Sequence, residues 1–480
     1  MSDMTRSSEQ GKWGFRLKRT EDLKRLAGEL DVHVDAIEDV SILAKPVEAG
    51  GLIIPNSLAI HPMEAADGDG EGRPGELTLR RYERFAAGGA GLIWVEAIAV
   101  VPEGRANPRQ LWLNEDSREG FAGLTRRIRE SAQNSELHHR PVVVAQLTHS
   151  GRYSKRGGVR HPLILQRDPY RDCLTLQQSP DAGAESKIPD DRQVVTDEYL
   201  DGLVDAYVTS ARIAFETGFD AVDIKSCHGY LVSELLASRQ RRGKYGGPFE
   251  NRTRFLLEVI DGIHAELGED KQVVTRLGVY DAVPYPFGWG MDEDDYARCD
   301  LREPKKLIGL LAERGVRLIN ISIANPHYNP HYGRPFIEPV IGAYHSPEHP
   351  LAGVARLINL AGEIQRAFSD IAVVGTGYSW LRTLMANVAA ASKARELASI
   401  IGVGRMAFAY PDFAKDIILK GRLDARKVCI ACSKCSQIMI DGGPIGCVVR
   451  DREVYGPIYE QGRRQADLRS RRDRMNRQKS

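Results

Sequence analysis

Long apolar runs, excess charge and cysteines are all scarce in this chain of 480 residues. No stretch approaches the ~18 consecutive apolar residues of a membrane-spanning helix, and the start, MSDMTRSSEQGKWGFRLKRT, lacks the apolar core of a signal peptide. The formal net charge of +1 gives no reason to expect nucleic acid or another polyanion as a partner. With 42% apolar and 27% charged residues, the composition is typical of a globular protein, for which we expect a cytoplasmic location.

Four of the seven cysteines are concentrated near the end of the sequence. Cys429, Cys432 and Cys435 form the pattern CIACSKC, and Cys447 follows after eleven residues. In a reducing compartment such a cluster indicates a metal site rather than disulfides. Four thiolates suit either Zn²⁺ or an iron–sulfur cluster, so the spacing leaves both open, together with a metal-free remnant of such a site.

Strand-like segments recur at helix-length intervals through most of the chain. The eight segments are SLAI (57–60), GLIWVEAIAV (91–100), VVVAQL (142–147), AVDIKSC (221–227), VVTRLGV (273–279), LINISI (318–323), IAVVGT (371–376) and ASIIGVG (398–404). Helical patterns lie between them, such as one that follows a Thr196 cap and one that begins at Asn251. We therefore predict an α/β fold, a (β/α)8 TIM barrel. The competing doubly wound sheet needs a glycine-rich phosphate-binding turn after an early strand, and none is present.

The sequence also suggests how the chain is divided. We expect an N-terminal helical extension (1–45), the barrel (46–425), a short four-cysteine segment (426–455) and a basic, flexible tail (456–480). Two long connections, from Ser150 to about Gln193 and from Ala324 to about Leu351, follow strands and so fall on the active face of the barrel. Their Arg, His and Tyr content favours a lid over a plain surface insertion.

Glycine turns follow the seventh and eighth predicted strands. Gly375 and Gly377 lie in VGTGYS, while Gly404 and Arg405 end the run GVGR. In a barrel these two loops bring backbone N–H groups and a guanidinium group to one point, which suits a phosphate dianion. We therefore expect a phosphorylated cofactor at this place.

The turn after the fourth predicted strand carries further polar groups. Lys225, His228 and Tyr230 lie there, at the face where a barrel binds its ligand. The run HGYL, with RRGKYGGPFENRTRFLLEVIDGI after it, resembles the FMN-dependent Old Yellow Enzyme family. The resemblance covers roughly residues 45–455 and is strongest to the branch that contains 2,4-dienoyl-CoA reductase and trimethylamine dehydrogenase. That branch continues into nucleotide-binding domains that have no counterpart in this sequence.

The resemblance implies an FMN site at the barrel mouth, with its phosphate held by the two glycine turns. Pro62 and Met63 match residues beside the flavin ring, and Gln146, in the family-like run QLTHSGR, matches the amide that binds the pyrimidine edge. Arg276 matches the arginine near flavin N1 and O2, where a fixed cation stabilises reduced flavin. The alternative for Arg276 is a structural ion pair with Asp223.

Two residues depart from the family pattern. Glu64 stands where the family usually has Thr or Cys, so its carboxyl group is protonated, turned away, or paired with a cation such as Lys225. Lys225 replaces the first member of the family's His-x-x-His or His-x-x-Asn pair, whereas His228 matches the second and Tyr230 matches the proton-donating tyrosine. The implied reaction is hydride transfer from flavin to the β-carbon of an α,β-unsaturated carbonyl or enoyl thioester. Tyr230 protonates the α-carbon while Lys225 and His228 bind the oxygen.

The resemblance also favours a [4Fe-4S] cluster on the four clustered cysteines. Electrons then come either from NAD(P)H directly or from a separate electron-transfer protein. The rival interpretations are an amine or C–H dehydrogenase that passes electrons to a partner, an RNA-modifying flavoprotein, and a barrel that binds flavin without catalysis. The sequence identifies neither the small-molecule substrate nor the oligomeric state, and a homo-oligomer is among the open arrangements.

Overall fold

The structure is a computed structural model that describes residues 13–172 and 194–477, with side chains described as far as residue 469. Its centre is a closed barrel of eight parallel strands. In chain order they are β1 (Leu58–Ile60), β2 (Leu92–Ala99), β3 (Val142–Thr148), β4 (Ala221–Ile224), β5 (Gln272–Gly278), β6 (Leu318–Ser322), β7 (Ala372–Gly375) and β8 (Ile400–Val403). Strand β8 pairs with β1 and closes the barrel. The predicted TIM barrel is confirmed, and every predicted strand segment overlaps one of its strands.

Helices fill the connections between the strands. They are α1 (Thr20–Glu29), α2 (Glu76–Ala87), α3 (Arg118–Gln133), α4 (Asp197–Glu216), α5 (Leu231–Leu236), α6 (Phe249–Leu267), α7 (Arg302–Glu313), α8 (Pro330–Gly333), α9 (Pro350–Ala367), α10 (Met385–Ala394), α11 (Arg405–Ala409), α12 (Phe413–Lys420), α13 (Lys434–Ile440) and α14 (Arg452–Arg477). The predicted cap of α4 is confirmed, because the Thr196 hydroxyl accepts a hydrogen bond from the Tyr199 N–H at 3.2 Å. The helix predicted from Asn251 is α6, which begins at Phe249 and buries Phe255, Leu256 and Val259. None of the helices described combines the length and apolar character that crossing a membrane requires.

The barrel interior changes from apolar to polar along its axis. At the amino ends of the strands, Trp94, Val144 and Ile400 belong to an apolar core, against which a hairpin of Val47–Ala49 and Leu52–Ile54 packs. Towards the carboxyl ends the buried side chains are polar: His61, Gln146, Asp223, Arg276 and Asn320. Buried polar groups are costly unless they are hydrogen-bonded, so their concentration at this end indicates a ligand-binding face.

Two predicted segments can be compared only in part. The connection from Ser150 to about Gln193 lies outside the described residues from 173 onwards. Where a flexible tail is expected from residue 456, the described part is instead helical through Arg477. Arg463 stabilises this helix, because it forms ion pairs with Asp441, which directly follows α13, and with Asp467 one turn along α14.

Candidate active site

A cavity of about 200 Å³ opens among the loops at the carboxyl ends of the strands. The residues predicted for cofactor binding or catalysis that line it are Pro62, Met63, His228, Arg276, Gly377, Gly404 and Arg405. They come from segments that are far apart in sequence, and the closed barrel brings them together. The remaining predicted residues, Glu64, Gln146, Lys225, Tyr230 and Gly375, do not line this cavity, and among them Glu64 and Lys225 both contact Tyr230.

The turn after β4 positions His228, Lys225 and Tyr230. His228 has a positive φ of 67°, and its Nε2 atom lies 2.8 Å from the Ser322 hydroxyl of β6. Burial, followed by nearby Arg276 and Lys225, holds the pKa of His228 well below its usual value, so the ring is neutral. The Lys225 ammonium nitrogen lies 3.3 Å from the centre of the Tyr230 ring, a cation–π contact. Burial lowers the pKa of Lys225 to about 8, while Glu64 acts against that shift.

Glu64 points into the same group of side chains. The Tyr230 hydroxyl donates to Glu64 Oε2 at 3.2 Å, which excludes the arrangement in which Glu64 is turned away. Burial raises the pKa of Glu64, and the positive charge of Lys225 is the largest influence in the opposite direction. Ala65 holds the loop that carries Glu64 in place, because the Ala65 N–H donates to the buried Glu96 carboxyl at 2.7 Å.

Asp223 holds two of the predicted flavin-binding residues, Gln146 and Arg276, in place. Its carboxyl group accepts hydrogen bonds from Gln146 Nε2 at 2.6 Å, from Trp94 Nε1 at 2.8 Å and from the backbone N–H of Arg276 at 2.6 Å. The ion pair with Asp223, the alternative role for Arg276, is replaced by a hydrogen bond from the Arg276 backbone. The Arg276 guanidinium group faces the cavity and reaches the Pro62 carbonyl at 3.5 Å. Burial raises the pKa of Asp223 to about 6 in spite of these bonds.

At the opposite end of the cavity two arginines lie close together. Arg405 donates through Nη2 to the Pro335 carbonyl, and its Nη1 atom is buried without a hydrogen-bond partner among the described residues. Arg334 donates to the Ser436 hydroxyl, and burial together with Arg405 lowers its pKa to about 10. Gly377 borders them in a left-handed conformation, with φ of 102°. Two half-buried guanidinium groups, each with a nitrogen that has no hydrogen-bond partner among the described residues, fit a phosphate dianion, the group predicted here.

The four clustered cysteines line a second, smaller cavity on the other side of Arg405. Backbone N–H groups point at two of the sulfur atoms, with Ala431 N at 3.4 Å from Cys429 and Arg450 N at 3.3 Å from Cys447. Burial raises the pKa of Cys429 to about 12, so a bound cation is needed to keep its thiolate form at neutral pH. Across residues 13–172 and 194–477, no three His, Cys, Asp or Glu side chains are close enough to hold a single metal ion.

Comparison with known proteins decides the family. A profile of the NADH:flavin oxidoreductase / NADH oxidase family matches residues 43–294, more than half of the chain. The chain belongs to this family. The resemblance to Old Yellow Enzymes is thereby confirmed, as is the prediction of an oxidoreductase of the NAD(P)H:flavin type.

Curated relatives agree with this family, and solved structures agree with the barrel fold. An NADPH dehydrogenase of Halalkalibacterium halodurans is 33% identical over 218 residues, which is 44% of this chain and 56% of that protein. Among solved structures, a 2-naphthoyl-CoA reductase in complex with 2-naphthoyl-CoA has a TM-score of 0.65 at 21% identity, over 88% of this chain and 58% of that one. Histamine dehydrogenase from Rhizobium sp. 4-9 has a TM-score of 0.62 at 20% identity, over 85% and 52%. The chain thus spans little more than half the length of these proteins.

Several residues at the candidate site are not identified by sequence reasoning. His61 lines the cavity next to Pro62, and it packs so closely on β8 that a Cβ atom at Gly402 would lie 2.1 Å from its ring. Tyr153 and His327 stack with ring centres 3.8 Å apart, and Tyr153 lies next to Tyr230. A usable signal exists for His61, which directly precedes the matched Pro62 and Met63. For Tyr153 and His327 the signal is only their position in the two long connections.

Proposed function

We propose that the protein is an FMN-dependent oxidoreductase that reduces an α,β-unsaturated carbonyl compound or an enoyl thioester. The observation that carries the proposal is that Arg405 and Arg334 line the same cavity as His228, whose turn also carries Tyr230. A phosphate-bearing cofactor that extends between the two arginines and this turn places its redox-active part beside the groups able to bind and protonate a substrate.

The residues present fit FMN at both ends of the cavity. Arg405, Arg334 and the Gly375–Gly377 turn supply donors and space for the phosphate, and Gln146 and Arg276 supply polar groups for the ring. When bound, the flavin provides a hydride for the β-carbon of the substrate. The 2-naphthoyl-CoA reductase named above shares this fold and is named for a thioester, which agrees with the proposal but at 21% identity does not decide it.

On the substrate side, neutral His228 donates a hydrogen bond to the carbonyl oxygen and the Lys225 ammonium adds positive charge. Both favour the negative charge that develops on that oxygen during hydride addition. Tyr230 then gives its hydroxyl proton to the α-carbon, so that each of the two carbons gains one hydrogen. The roles of these residues and of the flavin-binding residues are part of the proposal.

We also propose that the four cysteines hold a [4Fe-4S] cluster. A cluster spreads its four thiolates farther apart than a single ion does, which agrees with cysteines that share one cavity without meeting at one point. Arg405 borders both cavities, so the cluster and the flavin are neighbours and electrons can be exchanged with a separate protein through this side. Changing Cys447 to Ser is expected to remove most of the iron, measured per chain, while the matched change of the isolated Cys299 leaves it in place. Equal iron in both variants contradicts the cluster.

Stopped-flow reduction of the flavin tests the direction of electron flow. We expect NADH or NADPH to reduce the protein-bound flavin under anaerobic conditions, and an enone such as 2-cyclohexen-1-one to reoxidise it. Histamine dehydrogenase has the same fold, so amine oxidation is the second candidate. Reduction of the flavin by an amine but not by NAD(P)H would replace the proposed function with that one.

A further inference from the structure

The contact between Tyr230 and Glu64 joins two loops that approach from different strands. The Tyr230 hydroxyl lies 3.2 Å from Glu64 Oε2. The residue after each partner is hydrogen-bonded to the barrel. The Ala65 N–H donates to Glu96, and the Leu231 N–H donates to the His149 carbonyl at 3.1 Å. The pair is therefore a defined hydrogen bond between a phenol and a carboxyl group, on the two loops whose Met63 and His228 line the cavity.

The surroundings make Glu64 the stronger acid of the two while keeping it able to carry a proton. Burial raises the pKa of Glu64, and Lys225, the bond from Tyr230 and Lys155 act in the opposite direction. Burial also raises the pKa of Tyr230 well above its usual value, and the nearby Glu64 raises it further. A phenolate at Tyr230 is thus high in free energy, and transfer of a proton from the Glu64 carboxyl group to the phenolate oxygen is favourable. Glu96 also faces Glu64, and the two carboxylates repel each other.

We propose that Glu64 is a proton-relay residue that resupplies Tyr230 during the reaction. As the Tyr230 O–H bond breaks and its proton forms a C–H bond at the substrate α-carbon, the Glu64 O–H bond breaks and its proton moves to the Tyr230 oxygen. Glu64 becomes a carboxylate near the Lys225 ammonium, and water restores its proton before the next turnover. The inference rests on the proposed function, because the substrate accepts the first of these protons.

This arrangement also sets the direction of the Tyr230 hydroxyl. A protonated Glu64 donates to the Tyr230 oxygen and leaves the Tyr230 O–H free for the substrate. An ionised Glu64 can only accept, so it holds the Tyr230 O–H away from the substrate. Reoxidation of reduced flavin by substrate is therefore expected to slow as pH rises through the raised pKa of Glu64, whereas reduction of the flavin by NAD(P)H does not follow this ionisation.

Infrared titration of the purified holoenzyme tests the proton on Glu64 without any substrate. The wild-type minus Glu64→Gln difference is expected to show a carboxylic-acid band that titrates above the ordinary carboxyl range of about 4.3. The control variant is Glu71→Gln, which removes an exposed carboxyl group. In Tyr230→Phe the Glu64 midpoint rises further, because the bond that lowers it is gone. A Glu64 band with an ordinary midpoint, or one that Tyr230→Phe leaves unchanged, overturns the proposal.

Single-turnover oxidation of chemically reduced enzyme by 2-cyclohexen-1-one tests the transfer. We expect Glu64→Gln to slow it about tenfold or more, to abolish the pH dependence, and to reduce the number of protons seen moving in a solvent-deuterium inventory from two to one. In a Tyr230→Phe background the same change is expected to cost nothing further. If Glu64→Gln is oxidised by the enone at the wild-type rate, the proton relay is wrong and the proposed function stands. A wild-type enzyme that the enone cannot oxidise overturns the proposed substrate class, and the infrared result still decides whether Glu64 shares its proton with Tyr230.

Discussion

The two ends of the active-site cavity differ in whether their charged side chains have partners within the chain. At the end that faces the substrate, Glu64 and Lys225 lie near each other, and Asp223 accepts three hydrogen bonds. At the other end Arg334 and Arg405 lie side by side and repel each other. The first end is balanced by residues of the chain itself, whereas the second is suited to an external anion. This difference agrees with the proposed roles, catalysis at the first end and binding of the cofactor phosphate at the second.

The largest effect is expected at the substrate end, from Tyr230→Phe. Loss of a general acid typically costs ~10²- to 10⁴-fold in rate, and we expect that loss in the oxidation of reduced flavin by an enone. Flavin content is expected to stay at the wild-type level, because Tyr230 lies outside the cofactor end. The control is Tyr296→Phe, whose side chain is exposed. A Tyr230→Phe enzyme that oxidises at the wild-type rate contradicts the assignment of this end.

The next effect is expected at the cofactor end, from Arg405→Ala. Hydrogen bonds to charged groups contribute ~1.5–3 kcal/mol, so FMN is expected to bind about 10- to 100-fold more weakly, measured by fluorescence titration of flavin-free protein. The matched control is Arg366→Ala, an exposed arginine of α9. Unchanged flavin affinity in the Arg405 variant would remove the distinction between the two ends.

A smaller effect, on stability, is expected from Asp223→Asn. Folding raises the pKa of this carboxyl group from 3.8 to about 6, so the folded state binds the proton more tightly. The stability it contributes is complete below the unfolded pKa and is lost as pH rises through about 6, an amount of up to roughly 3 kcal/mol. Urea unfolding at a series of pH values is expected to show a wild-type advantage over the variant that shrinks between about pH 4 and 6.

The exposed Asp370→Asn variant is the control for this measurement, since its carboxyl group lies at the surface beside Arg317. A wild-type advantage over Asp223→Asn that stays constant with pH would show that Asp223 is ionised throughout. In that case the balance at the substrate end would come from its three hydrogen bonds alone.

Sequence reasoning predicts the cofactor and substrate residues unequally, for a physical reason. Strands, glycine turns and the HGYL turn are local features, so Gly377, Arg405 and His228 can be assigned to the barrel mouth from spacing and resemblance. Arg334 lies in an irregular connection with no periodicity, and its contact with Ser436 joins residues 102 positions apart. Its place beside Arg405 is set by tertiary packing, which no local pattern predicts.

Glu64 shows the same limit in another form. Its departure from the family pattern is visible in the sequence, and three arrangements are consistent with it. The choice depends on where the turn after β4 places Tyr230, 166 residues away. Only the folded barrel shows that the Glu64 carboxyl group contacts the Tyr230 phenol, and the proposed proton relay rests on this contact.

An absorbance spectrum of protein purified without added cofactor, recorded anaerobically before and after NADPH, tests the central claim most directly. The account predicts a bound-flavin spectrum that bleaches when NADPH is added. Folded protein that contains no flavin, and that binds none when FMN is supplied, would contradict it.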